Sequence, residues 1–202
     1  MIEALYDYII KMGYITLPLY FTGLIGWFYT IEIMIFLYYE NRISYVPLRE
    51  FEKCIKSKKN DTLTKECIKE KSATNLFLLS LLKNRERSLE IVNANCRDVV
   101  LGNITQRVQK LRTIRILASI ATLLGLLGTV NGMISTFKVI SFFGNSNPML
   151  MADGISEALL TTQSGLIIAF PLLFMHVVIR NGLKKIKNRI DRYYAKFIAI
   201  LY

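Results

Sequence analysis

Two threonines and three ionisable groups are the residues of this 202-residue chain that could do chemistry in otherwise apolar surroundings. Thr129 lies in "GLLGTVNGMISTF" (Gly125 to Phe137) and Thr162 in "ISEALLTTQSG" (Ile155 to Gly165). A hydroxyl both donates and accepts hydrogen bonds, so such residues could hydrate or gate an ion in a low-dielectric path. Glu157 has two readings: an acid in the first turn of a helix, favoured by the helix dipole, or a cation attractor at the outer mouth of a pathway. Glu32 sits inside an apolar run, where a bare charge is costly; it is expected to be protonated or paired with a neighbouring subunit, or to lie at the interface in a tilted helix. His176, the only histidine, reads as a structural residue or as a proton relay. No nucleophile elbow, phosphate loop or metal-ligand cluster accompanies them. Cys54, Cys67 and Cys96 are odd in number, lack CxxC spacing and read as free thiols. The expectation is a protein that is not an enzyme and carries no metal or cofactor.

The elements that must position these residues are membrane helices. The chain is 52% hydrophobic yet has a formal charge of +11, values that reconcile when apolar spans and basic segments alternate. Leu17 to Tyr39, Ile116 to Phe137 and Ile155 to Ile179 are three apolar runs able to cross a core of ~30 Å. The first has acidic flanking residues and no small-residue cleavage site, so it reads as a retained span and not a signal peptide. From Glu40 to Arg115 there are 17 Lys/Arg against 9 Asp/Glu, and from Arg180 onward 7 against 1. The positive-inside rule then puts the N-terminus outside and the C-terminus inside. The charge is thus a topology signal and not a nucleic-acid surface; the surrounding partner is membrane lipid.

The expected fold is an all-α integral membrane protein with three transmembrane helices and long cytoplasmic helical extensions. The layout is a periplasmic N-terminus over 1–16, a first span over 17–39, a cytoplasmic helical domain over 40–113, a second span over 114–138, a periplasmic loop over 139–153, a third span over 154–180 and a cytoplasmic amphipathic helix over 181–202. Within the inner domain, Leu89, Val92, Cys96 and Val99 form one helical stripe; Val100, Ile104, Val108 and Leu111 continue it with a phase shift. Leu183, Ile186, Ile190, Tyr193, Phe197 and Leu201 form another, read as packing in an inner bundle or lying on the membrane surface. "GNSNPMLMAD" is turn-rich, with Asp153 placed as the N-cap of the third span.

The glycines raise a separate question, because each interior Gly costs a helix about 1 kcal/mol relative to Ala. At 100° per residue, Ala118, Ala121, Thr122, Gly125, Gly128, Thr129, Gly132, Ser135 and Thr136 share an arc of roughly 140°. Leu123, Leu127, Val130 and Ile134 lie elsewhere. On the third span Ala158, Thr162, Gly165, Ala169 and His176 share roughly 60°, with Glu157, Thr161 and Ser164 on a separate face. Small faces of this kind let membrane helices approach closely, and Gly128 to Gly132 is a GxxxG. They also suit a narrow central path. The pattern alone leaves both readings open.

Together, "LLGLLGTVNGMISTF" and "ADGISEALLTTQSGLIIAFPLL" resemble the family of ExbB, TolQ and MotA, stator subunits that turn an ion gradient into mechanical work. The match is to Gly-Leu-hydrophobe-Gly-Thr-Val-x-Gly-Met, followed by Ile-x-Glu-Ala-Leu-x-x-Thr with a Gly and a later Pro. The first span and inner loop resemble the family only in layout, and the short chain is closer to ExbB/TolQ than to flagellar members. The resemblance implies a pentameric ring in a bacterial inner membrane, whose second and third helices surround two helices of an ExbD- or TolR-like single-span partner with a membrane Asp. It further implies a TonB- or TolA-like energy-coupling protein outside. The family's pore threonines fall on Thr129 and Thr162, its acid on Glu157 and its proline on Pro171; Gly125, Gly128, Gly132 and Gly165 are expected to pack helices. Two departures stand out: Thr122 replaces a common proline, and His176-Val177 replaces Tyr-Asn. A non-energised scaffold and a self-contained channel are the competing readings.

Overall fold

The computed structural model describes residues 14–42, 51–52, 72–83, 101–144 and 148–201. Every element among them is helical: α1 (Thr16–Arg42), α2 (Ala73–Lys83), a π-helical turn (Leu101–Thr105), α3 (Gln106–Phe143) and α4 (Pro148–Leu201). The three cysteines, the stripe from Leu89 to Val99 and the first 13 residues lie outside the described residues.

Local sequence accounts for the helix ends. Gly144 closes α3 with φ 59°, the left-handed conformation that favours glycine after a helix. Pro148 opens α4, where the missing N–H would have had no intrahelical partner. The helix therefore begins before Asp153, which lies inside it and is not its N-cap. Residues 139–143 and 148–153, read from sequence as loop, are helical. At Pro171 the helix continues without the bond that an amide there would give to the Ile167 carbonyl.

α1, α3 and α4 each contain a stretch long and apolar enough to cross a membrane. The chain itself buries only 28%, 28% and 22% of those stretches, so most of their apolar surface is left to lipid or to other subunits. α4, with 54 residues, is ~80 Å long at 1.5 Å per residue, far more than a bilayer needs.

The chain divides into two compact units. The first comprises Met1–Ile31 and Arg112–Val177. Its core is small: Leu19, Ala121 and Ala169, with Leu124 and Ile168 against them. What holds α3 to α4 is backbone proximity. A Cβ placed on Gly132 would lie 2.7 Å from the Gly154 carbonyl oxygen and the Ala158 amide nitrogen; one on Gly165 would lie 2.8 Å from the Ala121 carbonyl oxygen and 3.1 Å from the Gly125 Cα. Gly128 leaves room for Thr161, whose Oγ1 a Cβ there would overlap. Thr161 and Ser164 are accordingly buried, which corrects the helical projection that set Thr161 apart from the small face of α4. α1 joins through Gly23, against Ile168, and Gly26, against Leu172. Leu123, Leu127, Val130 and Ile134 face outward.

The second unit comprises Glu32–Leu111 and Val178–Tyr202. Leu183, Ile186, Ile190, Tyr193 and Phe197 are buried in it along one side of α4, so this part of the helix packs on protein and does not lie along a bilayer. Phe51 meets Tyr193 edge to face at 5.4 Å, and Lys196 pairs with Glu52 at 2.8 Å. Ile104 and Leu111 are buried but Val108 is 46% exposed, a correction to the expected stripe. The Arg107 guanidinium, 3.7 Å from the Phe36 ring centroid, occupies the turn between them.

α2 is held at its N-terminus twice. Ser72 Oγ accepts from the Asn75 amide at 3.0 Å, an ordinary N-cap. The buried Glu40 carboxylate accepts from the Ala73 and Thr74 amides at 3.1 and 3.2 Å and from the Thr74 hydroxyl at 2.9 Å. Glu40→Ala leaves these donors without their acceptor, at a cost of about 2–4 kcal/mol. Hydrogen exchange over residues 73–83 should accelerate in that variant. In the first unit, Gly132→Ala forces α3 and α4 apart against backbone atoms. A loss of about 1–3 kcal/mol is expected from thermal unfolding in detergent, whereas Gly102→Ala, with open space around it, should be close to neutral.

Candidate functional site

The first unit gathers the hydroxyls along the α3–α4 seam. Thr136 and Thr161 are buried in it; Thr129 and Thr162 are half-buried at its edge. Each hydroxyl donates to a backbone carbonyl: Thr136 to Gly132 at 3.0 Å, Thr161 to Ala158 at 2.9 Å, Thr129 to Leu126 at 2.7 Å. Such bonds satisfy a polar side chain where lipid offers no partner.

Thr162 differs. Its hydroxyl reaches across to the Gly125 carbonyl on α3 at 3.0 Å, with its own helix's Ala158 carbonyl at 3.4 Å. The reach depends on two glycines, because Gly125 and Gly165 bring the backbones within contact there. The Gly125 carbonyl is also the acceptor for the amide four residues on, that of Thr129. One oxygen thus ties the two threonines together: the Thr162 hydroxyl from one side, the Thr129 backbone from the other.

The other singled-out residues are placed as follows. Glu157 is half-buried, and its backbone carbonyl accepts from Thr161 at 3.0 Å. Five residues before Thr162, its side chain is turned roughly 140° away from it, and among the described residues no bond joins the carboxylate to either threonine. Pro171 and His176 are half-buried farther along α4. Gly125, Gly128, Gly132 and Gly165 all lie in the seam.

Glu32 belongs to the second unit. It pairs with Lys110 of its own chain. Sequence reasoning missed this partner, as it missed Thr161 as a seam residue and Glu40 as a cap. Lys110 lies 78 positions away, and only the packing of α1 on α3 selects it among the basic residues nearby. The Ser72 cap carried a local signal; the carboxylate that reinforces it did not.

A family model of MotA/TolQ/ExbB proton channel proteins matches residues 60–192, well over half of the chain. The chain belongs to this family. Among curated MotA/TolQ/ExbB relatives, biopolymer transport protein exbB1 of Vibrio cholerae is 47% identical over 62 residues, 30% of this chain and 27% of that protein. The Tol-Pal system protein TolQ of Haemophilus influenzae is 33% identical over 98 residues, 48% of this chain and 40% of that protein. Biopolymer transport protein ExbB of Aquifex aeolicus is 33% identical over 90 residues, 45% of this chain and 59% of that protein. The chain thus spans between about a quarter and three-fifths of the length of these relatives.

The Glu32–Lys110 pair can be tested by a double-mutant cycle. The paired side chains remain more than a third exposed, so the coupling that the cycle reads is expected to be at most about 1 kcal/mol. Glu32→Gln and Lys110→Met are each expected to lower the unfolding midpoint in detergent, and the double variant to recover part of the loss.

Proposed function

We propose that the chain is an ExbB-like subunit of a proton-driven motor in a bacterial inner membrane. In this reading five copies form a ring, α3 and α4 line its centre, and two helices of an ExbD- or TolR-like partner occupy it. The partner supplies a membrane Asp, and a TonB- or TolA-like protein carries the work toward the outer membrane. Two supports carry the reading: family membership, and the Thr162–Gly125 bond that sets two hydroxyls at the edge of a glycine-lined seam. A TolQ-like member is the nearest variant of the same mechanism.

The mechanism is electrostatic. Thr129 and Thr162 border the path and solvate the partner's acid, whose pKa must change with access to either side. Glu157, nearer the start of α4, draws cations toward the outer mouth; His176 lies toward the inner exit. Moving one charge through 100 mV releases about 2.3 kcal/mol, which repeated transfers convert into rotation or rocking of the partner helices.

The proposed topology keeps the N-terminus periplasmic and the C-terminus cytoplasmic. We read the inner edge of the hydrocarbon at Glu32 on α1, Arg112 on α3 and Arg180 on α4. Placing it farther along α1, at Tyr39, would draw Arg107 and Lys110, which lie against Phe36 and Glu32, into lipid at several kcal/mol each. The residues from Ile33 to Arg42 then belong to the headgroup layer and cytoplasm.

Native mass spectrometry of the complex, gently extracted from its own membranes, is the direct test. A ring of this chain with fewer copies of a small single-span protein is expected. A homo-oligomer without a companion, reproduced across mild detergents, would favour a non-energised scaffold. Thr162→Val should assemble to the same mass yet slow proton uptake by vesicles carrying the complex by about tenfold, the equivalent of one lost hydrogen bond of about 1.4 kcal/mol. A scaffold tolerates that change.

A further inference from the structure

A threonine hydroxyl has one proton to give. At Thr162 it goes to the Gly125 carbonyl at 3.0 Å, and at Thr129 to the Leu126 carbonyl at 2.7 Å. A carbonyl oxygen carries no proton, so the direction of each bond is set by the groups themselves. Both side chains are half-buried at the edge of the seam, and what each Oγ1 still has to offer is lone pairs.

We propose that, while the acid is protonated, Thr129 and Thr162 act toward the path as hydrogen-bond acceptors only, so that the site favours the protonated carboxylic acid, and that loss of the proton turns the Thr162 hydroxyl from Gly125 toward the carboxylate. The inference rests on the reading of these threonines as lining the pathway. It differs from a picture in which both threonines donate to an acid that is ionised at rest.

The two threonines divide the task. The bonds of Thr122, Thr129, Thr136 and Thr161 stay within their own helices, to Ala118, Leu126, Gly132 and Ala158. The Thr162 bond crosses from α4 to α3. A carboxylate accepts and cannot donate, and in a low-dielectric site it is costly without donors. Rotating the Thr162 side chain supplies one, and in doing so releases the Gly125 carbonyl that also receives the Thr129 amide. The protonated state therefore keeps α3 and α4 latched through one oxygen, and the ionised state unlatches them. Occupancy of the acid by a proton becomes a change in helix–helix bonding.

The sign of a pKa shift tests this. The probe is the infrared titration of the membrane carboxyl in the complex isolated with its own companion protein. Removing an acceptor destabilises the protonated acid, so Thr129→Val should lower its apparent pKa by roughly half a unit to one unit, whereas Thr162→Val takes an acceptor from the protonated form and a donor from the ionised form and should shift it less. Thr162→Ser, which keeps the hydroxyl, should titrate like the parent. A rise, or no change, in Thr129→Val overturns the proposal while leaving the motor reading in place. A complex without a titrating membrane carboxyl removes both. Should Thr162→Val fail to assemble, Thr129→Val still decides, because its hydroxyl bonds only within α3.

Discussion

The contact of α3 with α4 through bare backbone is the constraint on which the first unit depends. Lipid is as apolar as leucine, so membrane helices gain little by hiding large side chains from it and associate through close van der Waals packing instead. Gly132 against Gly154 and Ala158, and Gly125 against Gly165, allow that approach. Everything polar in the seam follows from it. Thr161 fits only because Gly128 has no side chain, and Thr162 reaches another helix only because the two backbones touch. Replacing these glycines with larger residues would restore helix propensity locally while removing the geometry that the hydroxyls require.

The second unit is held by different forces. Here large side chains are buried, among them Phe51, Phe77, Leu81, Ile186 and Phe197, and several charged groups have specific partners. Glu32 meets Lys110, Arg107 lies over Phe36, Glu52 meets Lys196, and Glu40 caps α2. Hydrophobic burial needs water to drive it, and buried carboxylates need donors. The contrast between a seam of small residues and a core of large ones is what a chain that is partly in lipid and partly in water requires.

Between them, these features describe a protein whose chemistry is the placement of hydrogen bonds. The hydroxyls of Thr129 and Thr162 are uncharged and their protons are engaged by backbone carbonyls. In the proposed reading they handle a proton carried by another chain. There the hydroxyl bonded across two helices gives that proton a mechanical consequence, because the bond proposed to change is one that joins α3 to α4.

Much was legible in the sequence. Apolar runs long enough to span a bilayer, the 3.6-residue spacing of Leu183 to Phe197, and the arc of small residues on α3 depend only on the order of residue types along one helix. The family itself was readable from the two motifs that carry Thr129 and Thr162. Tertiary structure decided what depends on two helices at once. It chose Lys110 as the partner of Glu32, because side-chain pairing across 78 positions is set by the register of α1 on α3. It turned Thr161 into the seam and Val108 out of the core, since a projection at 100° per residue cannot know where the neighbouring axis lies. And it directed the Thr162 hydroxyl to Gly125, because a sequence names a donor, while its acceptor is selected only when another backbone comes within 3.0 Å.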